Sequence, residues 1–311
     1  MKDFISTNDI TNLKETVLEA IQLKSSPLKY KSLGKDKTLG LLFFNNSLRT
    51  RLSTQKAAQN LGMNVIVMNF GSEGWALEYG DGQIMDQGKS EHVKEAAQVI
   101  SQYCDIIGIR AFAGLEDRDL DYSESVITAF QKYASVPILN MESATRHPLQ
   151  ALTDLITIEE NRKVKRPKVV LTWAPHPKAL PQAVANSFVE IMKDAEVDLV
   201  VTHPKGYELA PEFMENVTLE YDQEKALEGA DFVSAKNWSA FNNYGKIISQ
   251  DPSWMVDEIN SSTQFMHCLP VRRNVVVADK VLDSDQSLVI EQANNRTYAA
   301  QIILKKMLEN G

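Results

Sequence analysis

Only two cysteines occur in the 311 residues, Cys104 and Cys268, and they lie far apart. They form no CxxC pair, which argues against a disulfide framework and against a structural zinc site. An excess of positive charge is also lacking. Lys and Arg number 33 against 41 Asp and Glu, a formal net charge of −8. A nucleic-acid partner, which calls for a basic face, is therefore not expected, although a local group of arginines can still receive a small anion. No apolar run reaches the length that spans a bilayer, and Met1 to Asp9 is polar, without the apolar core of a secretory signal. These absences predict a soluble, cytoplasmic chain with no membrane contact. Repeats and low-complexity tracts are missing too. What is present is 43% hydrophobic and 24% charged residues, the balance of a folded protein long enough for two domains.

Short β-branched runs alternate with amphipathic stretches nearly throughout. Strands are expected at 39–44, 64–70, 106–111, 136–140, 168–173, 198–203, 232–235, 265–269 and 288–291. Helices are expected at 50–61, 92–103, 123–133, 149–160, 180–193 and 298–308. This alternation predicts βαβ units and mostly parallel sheets covered on both faces. The basic stretch 161–168 interrupts the pattern, and the helix before it is placed to bridge two α/β halves. Residues 71–90 are glycine-rich without periodicity, the mark of a functional loop. Two nucleotide signatures inside that loop fail. Gly80-Asp81-Gly82 has Met85 where a third glycine belongs, and Gly82 to Ser90 has one residue too many between its glycines for a P-loop.

Three segments carry chemistry. Ser47-Leu48-Arg49-Thr50-Arg51 follows an apolar strand and opens a helix. Hydroxyls, free backbone N–H groups and a guanidinium fork there suit a phosphate, though an ordinary serine cap with solvated arginines would look similar. Glu142 to Gln150, including His147-Pro148-Leu149-Gln150, follows another strand. Here an imidazole can polarise a carbonyl and an amide oxygen can accept from an N–H; helix capping with Pro148 at the first position is the plainer reading. His267-Cys268-Leu269-Pro270, with Arg272, ends a third strand, and Cys268 alone would pass for an inert core thiol. Arg110 and Arg296 add cations at two further strand–helix junctions.

Ser47-Leu48-Arg49-Thr50, His147-Pro148-Leu149-Gln150 and His267-Cys268-Leu269-Pro270, in this order, resemble the aspartate/ornithine carbamoyltransferase family over essentially the whole chain. The resemblance implies two doubly wound parallel-sheet α/β domains. Residues 1–148 would bind carbamoyl phosphate, with a C-terminal helix over 293–311 packing back on them, and 149–292 would bind the amine substrate. It also implies a homotrimer with shared active sites and no cofactor or metal. By resemblance, Ser47, Leu48, Arg49 and Thr50 hold the phosphate with Trp75 from a neighbouring subunit. Arg110, His147 and Thr50 surround the carbonyl oxygen, and Arg296 completes the cationic set. Gln150, Cys268 and Leu269 hold the carbamoyl NH2. Arg110, His147 and Cys268 stand at the reacting group.

Ornithine enzymes hold a free α-ammonium with an aspartate and a Ser-Met-Gly sequence. The corresponding stretch here is Ser234-Ala235-Lys236-Asn237-Trp238-Ser239. A lysine suits a carboxylate and not an ammonium, so an acylated, neutral α-nitrogen is expected. With Trp75, the segment Trp173 to Pro181 is similar to the N-acylornithine carbamoyltransferases, which implies Glu142, His176, Lys236 and Arg272 as substrate contacts. Most of the chain resembles the succinylornithine branch. Glu91, however, stands where that branch has proline and the acetylornithine branch has glutamate, and a carboxylate there repels a succinyl tail. Both acyl groups stay open at this point. Ornithine or putrescine as acceptor, and a non-catalytic subunit on the same fold, are the alternatives; Lys236 opposes the first two, and the full phosphate set opposes the third.

Overall fold

A computed structural model describes residues 1–86 and 88–309. The chain divides into two compact units. The first comprises Met1–Gly114, Asp119–Leu149 and the chain from Arg296 onward; the second comprises Leu115–Arg118 and Gln150–Asn295. Among the described residues no helix is long and apolar enough to cross a membrane.

The first unit runs through α1 (Leu13–Ser25), β1 (Thr38–Phe43), α2 (Arg49–Asn60), β2 (Asn64–Asn69), β3 (Leu77–Glu78), β4 (Glu91–His92), α3 (Val93–Ile100), β5 (Ile106–Arg110), α4 (Arg118–Tyr122), α5 (Ser125–Tyr133), β6 (Ile138–Glu142) and the start of α6 (Pro148–Asn161). Its main sheet is parallel in the order β2-β1-β5-β6. The strand β5 and nearly all of β1 are buried, which is why they read as continuous apolar runs, whereas the edge strand β2 is half exposed. From β1 the chain goes first to β2 on one side and then to β5 on the other. The carboxyl ends of β1 and β5, paired through Phe43 and Arg110, therefore form a switch point where α/β sheets take ligands. The turn from α2 into β2 is a Schellman motif, with Met63 N–H donating to Ala58 and Gly62 N–H to Gln59. Gly62 has φ +84°, and a Cβ there would collide with the Lys31 carbonyl.

The second unit continues with β7 (Lys168–Ala174), α7 (Ala183–Lys193), β8 (Asp198–Thr202), α8 (Pro211–Met214), β9 (Thr218–Glu220), α9 (Gln223–Leu227), β10 (Phe232–Asn237), β11 (Gln264–Met266), α10 (Asp279–Leu282) and α11 (Val289–Glu309), whose last part belongs to the first unit. Its sheet is parallel in the order β11-β10-β7-β8-β9. The strands β7 and β10 flank its switch point, with Trp173 beside Lys236 and Ala174 beside Asn237. Val170, Val233, Ala235, Phe265 and Val281 fill the core on one face. The expected α/β class with two doubly wound parallel sheets is borne out.

Several local expectations differ from the structure. No strand runs over 288–291. The backbone pairs with Phe265 only through Gln286 and Leu288, then turns helical at Val289, so α11 begins well before 298. Asn310 and Gly311, within the helix expected over 293–311, lie outside the described residues. The helix expected at 123–133 starts at Ser125, because its N-cap Glu124 is left-handed at φ 52° and its carboxylate is committed to another turn. The basic stretch 161–168 is the connection from α6 to β7, inside the second unit. Within the expected loop 71–90, where Gln87 lies outside the described residues, β3 pairs with β4, just after the loop, in a two-residue parallel ladder.

Candidate active site

At the first switch point, α2 starts without a side-chain cap: Leu48 is the N-cap and is 65% exposed. No acidic residue stands in its first turn, where Arg49 and Arg51 lie instead. Cations at the positive end of a helix are unfavourable unless an anion offsets them, so the sequence here is arranged for a ligand. Thr50 is buried and its hydroxyl accepts from Arg296 Nη2 at 2.7 Å. Arg110, at the end of β5, clasps the preceding loop by donating from Nη1 to the carbonyls of Asn45 and Asn46 at 3.0 and 2.7 Å. Its Nη2 lies 3.2 Å from Glu142 Oε2, and the same oxygen lies 3.4 Å from His147 Nε2. Burial pulls the Arg110 guanidinium below its ordinary value, and Glu142 opposes that pull. Arg110 Nε is buried with no hydrogen-bond partner among the described residues, a donor that an incoming oxygen would satisfy.

Two residues hold this set that the sequence reading passed over. Asn45 accepts the Phe112 N–H on its side-chain oxygen at 2.6 Å, fixing the turn after Arg110. Glu124 accepts from Ser143 Oγ and Thr145 N–H, both at 2.8 Å, and so shapes the turn that delivers His147. Neither has a sequence signature, because an Asn in a loop and a Glu in a helical pattern are ordinary there.

Along the 71–90 segment, Trp75 is 56% exposed and donates its indole N–H to Glu91 Oε2 at 2.9 Å. The ladder of β3 and β4 places the two residues together. Asp81 ties the loop to α5 through Lys132 at 2.9 Å and the Tyr133 hydroxyl at 2.7 Å.

In the second unit, His176 follows β7 and accepts from Arg272 Nε on its Nε2 at 3.1 Å, while its Nδ1 lies 2.7 Å from the Lys178 carbonyl. A ring proton on Nδ1 satisfies both contacts. Burial, with Arg272, Lys236 and Lys178 nearby, holds this imidazole below its ordinary pKa and therefore neutral. Lys236, at the end of β10, is half-buried. Cys268 is a half-buried free thiol. Gln150 is buried and donates to Asp154 at 2.6 Å. The segment 242–251 is pinned by Tyr207, whose hydroxyl accepts from the N–H groups of Ile248 and Ser249 at 2.8 and 3.0 Å and donates to the Ser249 carbonyl at 2.9 Å.

The structure thus brings together Arg110, Glu142 and His147, Thr50 and Arg296, Trp75 and Glu91, and His176 and Arg272. It groups Glu142 with Arg110 and His147 in the first unit, whereas His176, Lys236 and Arg272 belong to the second. Ser47 and Arg49 stand partly exposed at the start of α2.

Two sheets with cationic switch points define an enzyme of the carbamoyl-transfer class once the wider similarities are added. Residues 2–160 match the aspartate/ornithine carbamoyltransferase carbamoyl-P binding domain, and residues 181–307 match the Asp/Orn binding domain. The chain belongs to the aspartate/ornithine carbamoyltransferase family. It is 54% identical to the N-succinylornithine carbamoyltransferase of Bacteroides thetaiotaomicron, over 99% of both chains. Identity to the N-acetylornithine carbamoyltransferase of Xanthomonas axonopodis is 34%, over 98% of this chain and 96% of the other. Among solved structures, acetylornithine transcarbamylase complexed with acetylcitrulline superposes with a TM-score of 0.93 at 33% identity, covering 99% of each chain. A mutant of N-acetyl-L-ornithine transcarbamylase complexed with carbamyl phosphate and N-succinyl-L-norvaline also gives 0.93 at 33% identity, covering 99% of this chain and 100% of the other.

Proposed function

We propose that this carbamoyltransferase moves the carbamoyl group of carbamoyl phosphate to the side-chain amine of an N-acylornithine, giving N-acylcitrulline and phosphate. The observation that carries the phosphate half is the uncapped, arginine-bearing start of α2 with Thr50 held by Arg296. Ser47, the Leu48 amide, Arg49 and Thr50 take the phosphate, joined by Trp75 of a neighbouring subunit in a homotrimer. Arg110, His147 and Thr50 face the carbonyl oxygen, and Glu142 holds Arg110 in place. Gln150 and the carbonyls of Cys268 and Leu269 receive the carbamoyl NH2. Lys236 and Arg272, with neutral His176, hold carboxylate and acyl oxygens of the acceptor.

The amine must be neutral to attack, and an alkyl ammonium has a pKa of about 10.4. Attack forms the N–C bond, the C–O bond to phosphate breaks, and the departing phosphate takes the amine's proton. Alignment of two substrates and stabilisation of the tetrahedral oxyanion by Arg110 and His147 supply the acceleration. Cys268 contacts the carbamoyl group without becoming a covalent nucleophile, because carbamoyl phosphate is already activated. The setting is arginine biosynthesis in the cytoplasm.

Two acyl groups each have an observation in their favour. Identity of 54% to N-succinylornithine enzymes supports succinyl. Glu91 supports acetyl, since its carboxylate would repel a succinyl tail. In keeping with this, structures of N-acetyl-L-ornithine transcarbamylase with one glutamate replaced by alanine, valine, proline or serine hold N-succinyl-L-norvaline. The test is kcat/KM for N-acetylornithine and N-succinylornithine with free ornithine as control. Preference for either acylated substrate over ornithine supports the proposal and names the acyl group; turnover of ornithine alone overturns it.

A further inference from the structure

The second unit contains a buried chain of hydrogen bonds built around Asp154. Gln150 Nε2 and Gln292 Nε2 both donate to Asp154 Oδ1, at 2.6 and 2.7 Å. Gln292 Oε1 in turn accepts the His267 N–H at 2.9 Å, and His267 Nδ1 accepts the Leu269 N–H at 2.9 Å. All four side chains are about 1% exposed. The same oxygen of Asp154 receives two amide nitrogens, so it fixes which end of each carboxamide points where. A carboxamide offers a donor at one end and an acceptor at the other, and turning it over reverses what it presents. With its nitrogen directed to Asp154, Gln150 turns its oxygen, an acceptor, the other way. With its nitrogen also directed there, Gln292 has its oxygen available to hold the backbone of His267. His267 then anchors Leu269, whose φ of 52° turns the backbone at this point.

We propose that Asp154 is a positioning residue that sets the donor–acceptor polarity of the carbamoyl-NH2 site, and thereby discriminates carbamoyl phosphate from acyl phosphates that carry a methyl group in place of the NH2. The proposal rests on the carbamoyl-transfer reading above, in which Gln150 and the carbonyls of Cys268 and Leu269 receive that NH2. Gln150 presents its acceptor end through Asp154, and the two carbonyls keep their direction through Gln292 and His267. A methyl group offers no donor, so an acetyl phosphate seated there leaves these acceptors unpaired in a buried setting. Without Asp154, the Gln150 amide nitrogen loses its carboxylate acceptor and the 267–269 turn loses its tie through Gln292 to α6.

The experiment measures binding of carbamoyl phosphate, acetyl phosphate and inorganic phosphate by calorimetry to the full-length protein, to Asp154→Leu and to Gln292→Met, with melting curves for each. The expected result is a loss of about tenfold or more in carbamoyl phosphate affinity in both variants, with acetyl phosphate and phosphate unchanged within about twofold. Equal weakening of all three ligands, or no loss for carbamoyl phosphate, overturns the proposal. If Asp154→Leu does not fold, Gln292→Met decides by the same criterion. Should the unaltered protein bind acetyl phosphate as tightly as carbamoyl phosphate, the carbamoyl site itself is misassigned, a failure visible before any variant is compared.

Discussion

Trp75 donates its indole N–H to Glu91 across 2.9 Å, joining the residue assigned to the phosphate and the residue assigned to acyl choice. The contact exists because β3 and β4 pair in parallel and close the intervening loop on itself. Glu91→Pro removes both the carboxylate and the acceptor for Trp75. The expected outcome is a shift of the succinyl-to-acetyl ratio of kcat/KM toward succinyl by about tenfold or more, with a higher KM for carbamoyl phosphate. An unchanged ratio in steady-state assays would sink the selector role.

Arg110 and Glu142 form a buried pair whose worth lies in orientation. Arg110→Met is expected to cost about 10²–10³ in kcat, as removal of an oxyanion donor does. Glu142→Gln leaves the buried guanidinium without its counter-charge, and a loss of about 3 kcal/mol of stability is expected. Urea unfolding of both variants separates the two effects; a Glu142→Gln protein as stable as the parent contradicts this account.

His176 gives the site a pH dependence with a definite sign. Its pKa in the folded protein is below the ordinary value near 6.5, so the native state favours the neutral ring. Above about pH 6.5 both folded and unfolded rings are neutral and pH has no effect through this group. As pH falls below that value the unfolded ring binds its proton first, which costs stability. Protonation in the folded state then takes away the acceptor for Arg272. KM for the acylornithine is therefore expected to be flat above neutrality and to rise on acidification, and His176→Asn is expected to abolish that rise in a pH series.

Gly62 carries the turn between α2 and β2. Gly62→Ala places a methyl group in a left-handed residue and against the Lys31 carbonyl. A loss of about 1–3 kcal/mol is expected. Thermal melting checks it, and a variant melting with the parent would show that the turn relaxes freely.

Much of the element order was legible from local pattern, because buried parallel strands read as apolar runs and their helices as 3.6-residue periodicity. Other elements, α1 at Leu13–Ser25 among them, were not. The two-residue ladder of β3 and β4 is too short to carry a period, and β9 at Thr218–Glu220 likewise gave no signal. Glu124 caps α5 in a left-handed conformation, with its carboxylate held some twenty residues on, at Ser143 and Thr145. The apolar run at 288–291 suited a strand or a helix equally, and only its place after the bridge to Phe265 settled the matter.

By itself the sequence determined the α/β class and the family, since residue type and order at strand ends are local properties. Tertiary structure decided which of those residues act together. Arg296 reaches Thr50 because the last part of α11 belongs to the same unit as α2, and Arg110 reaches Asn46 because parallel pairing brings the ends of β5 and β1 side by side. The polarity of Gln150 was likewise invisible in the sequence, because an amide's direction is set by the partner that takes its nitrogen, here an Asp154 oxygen shared with Gln292 from another helix.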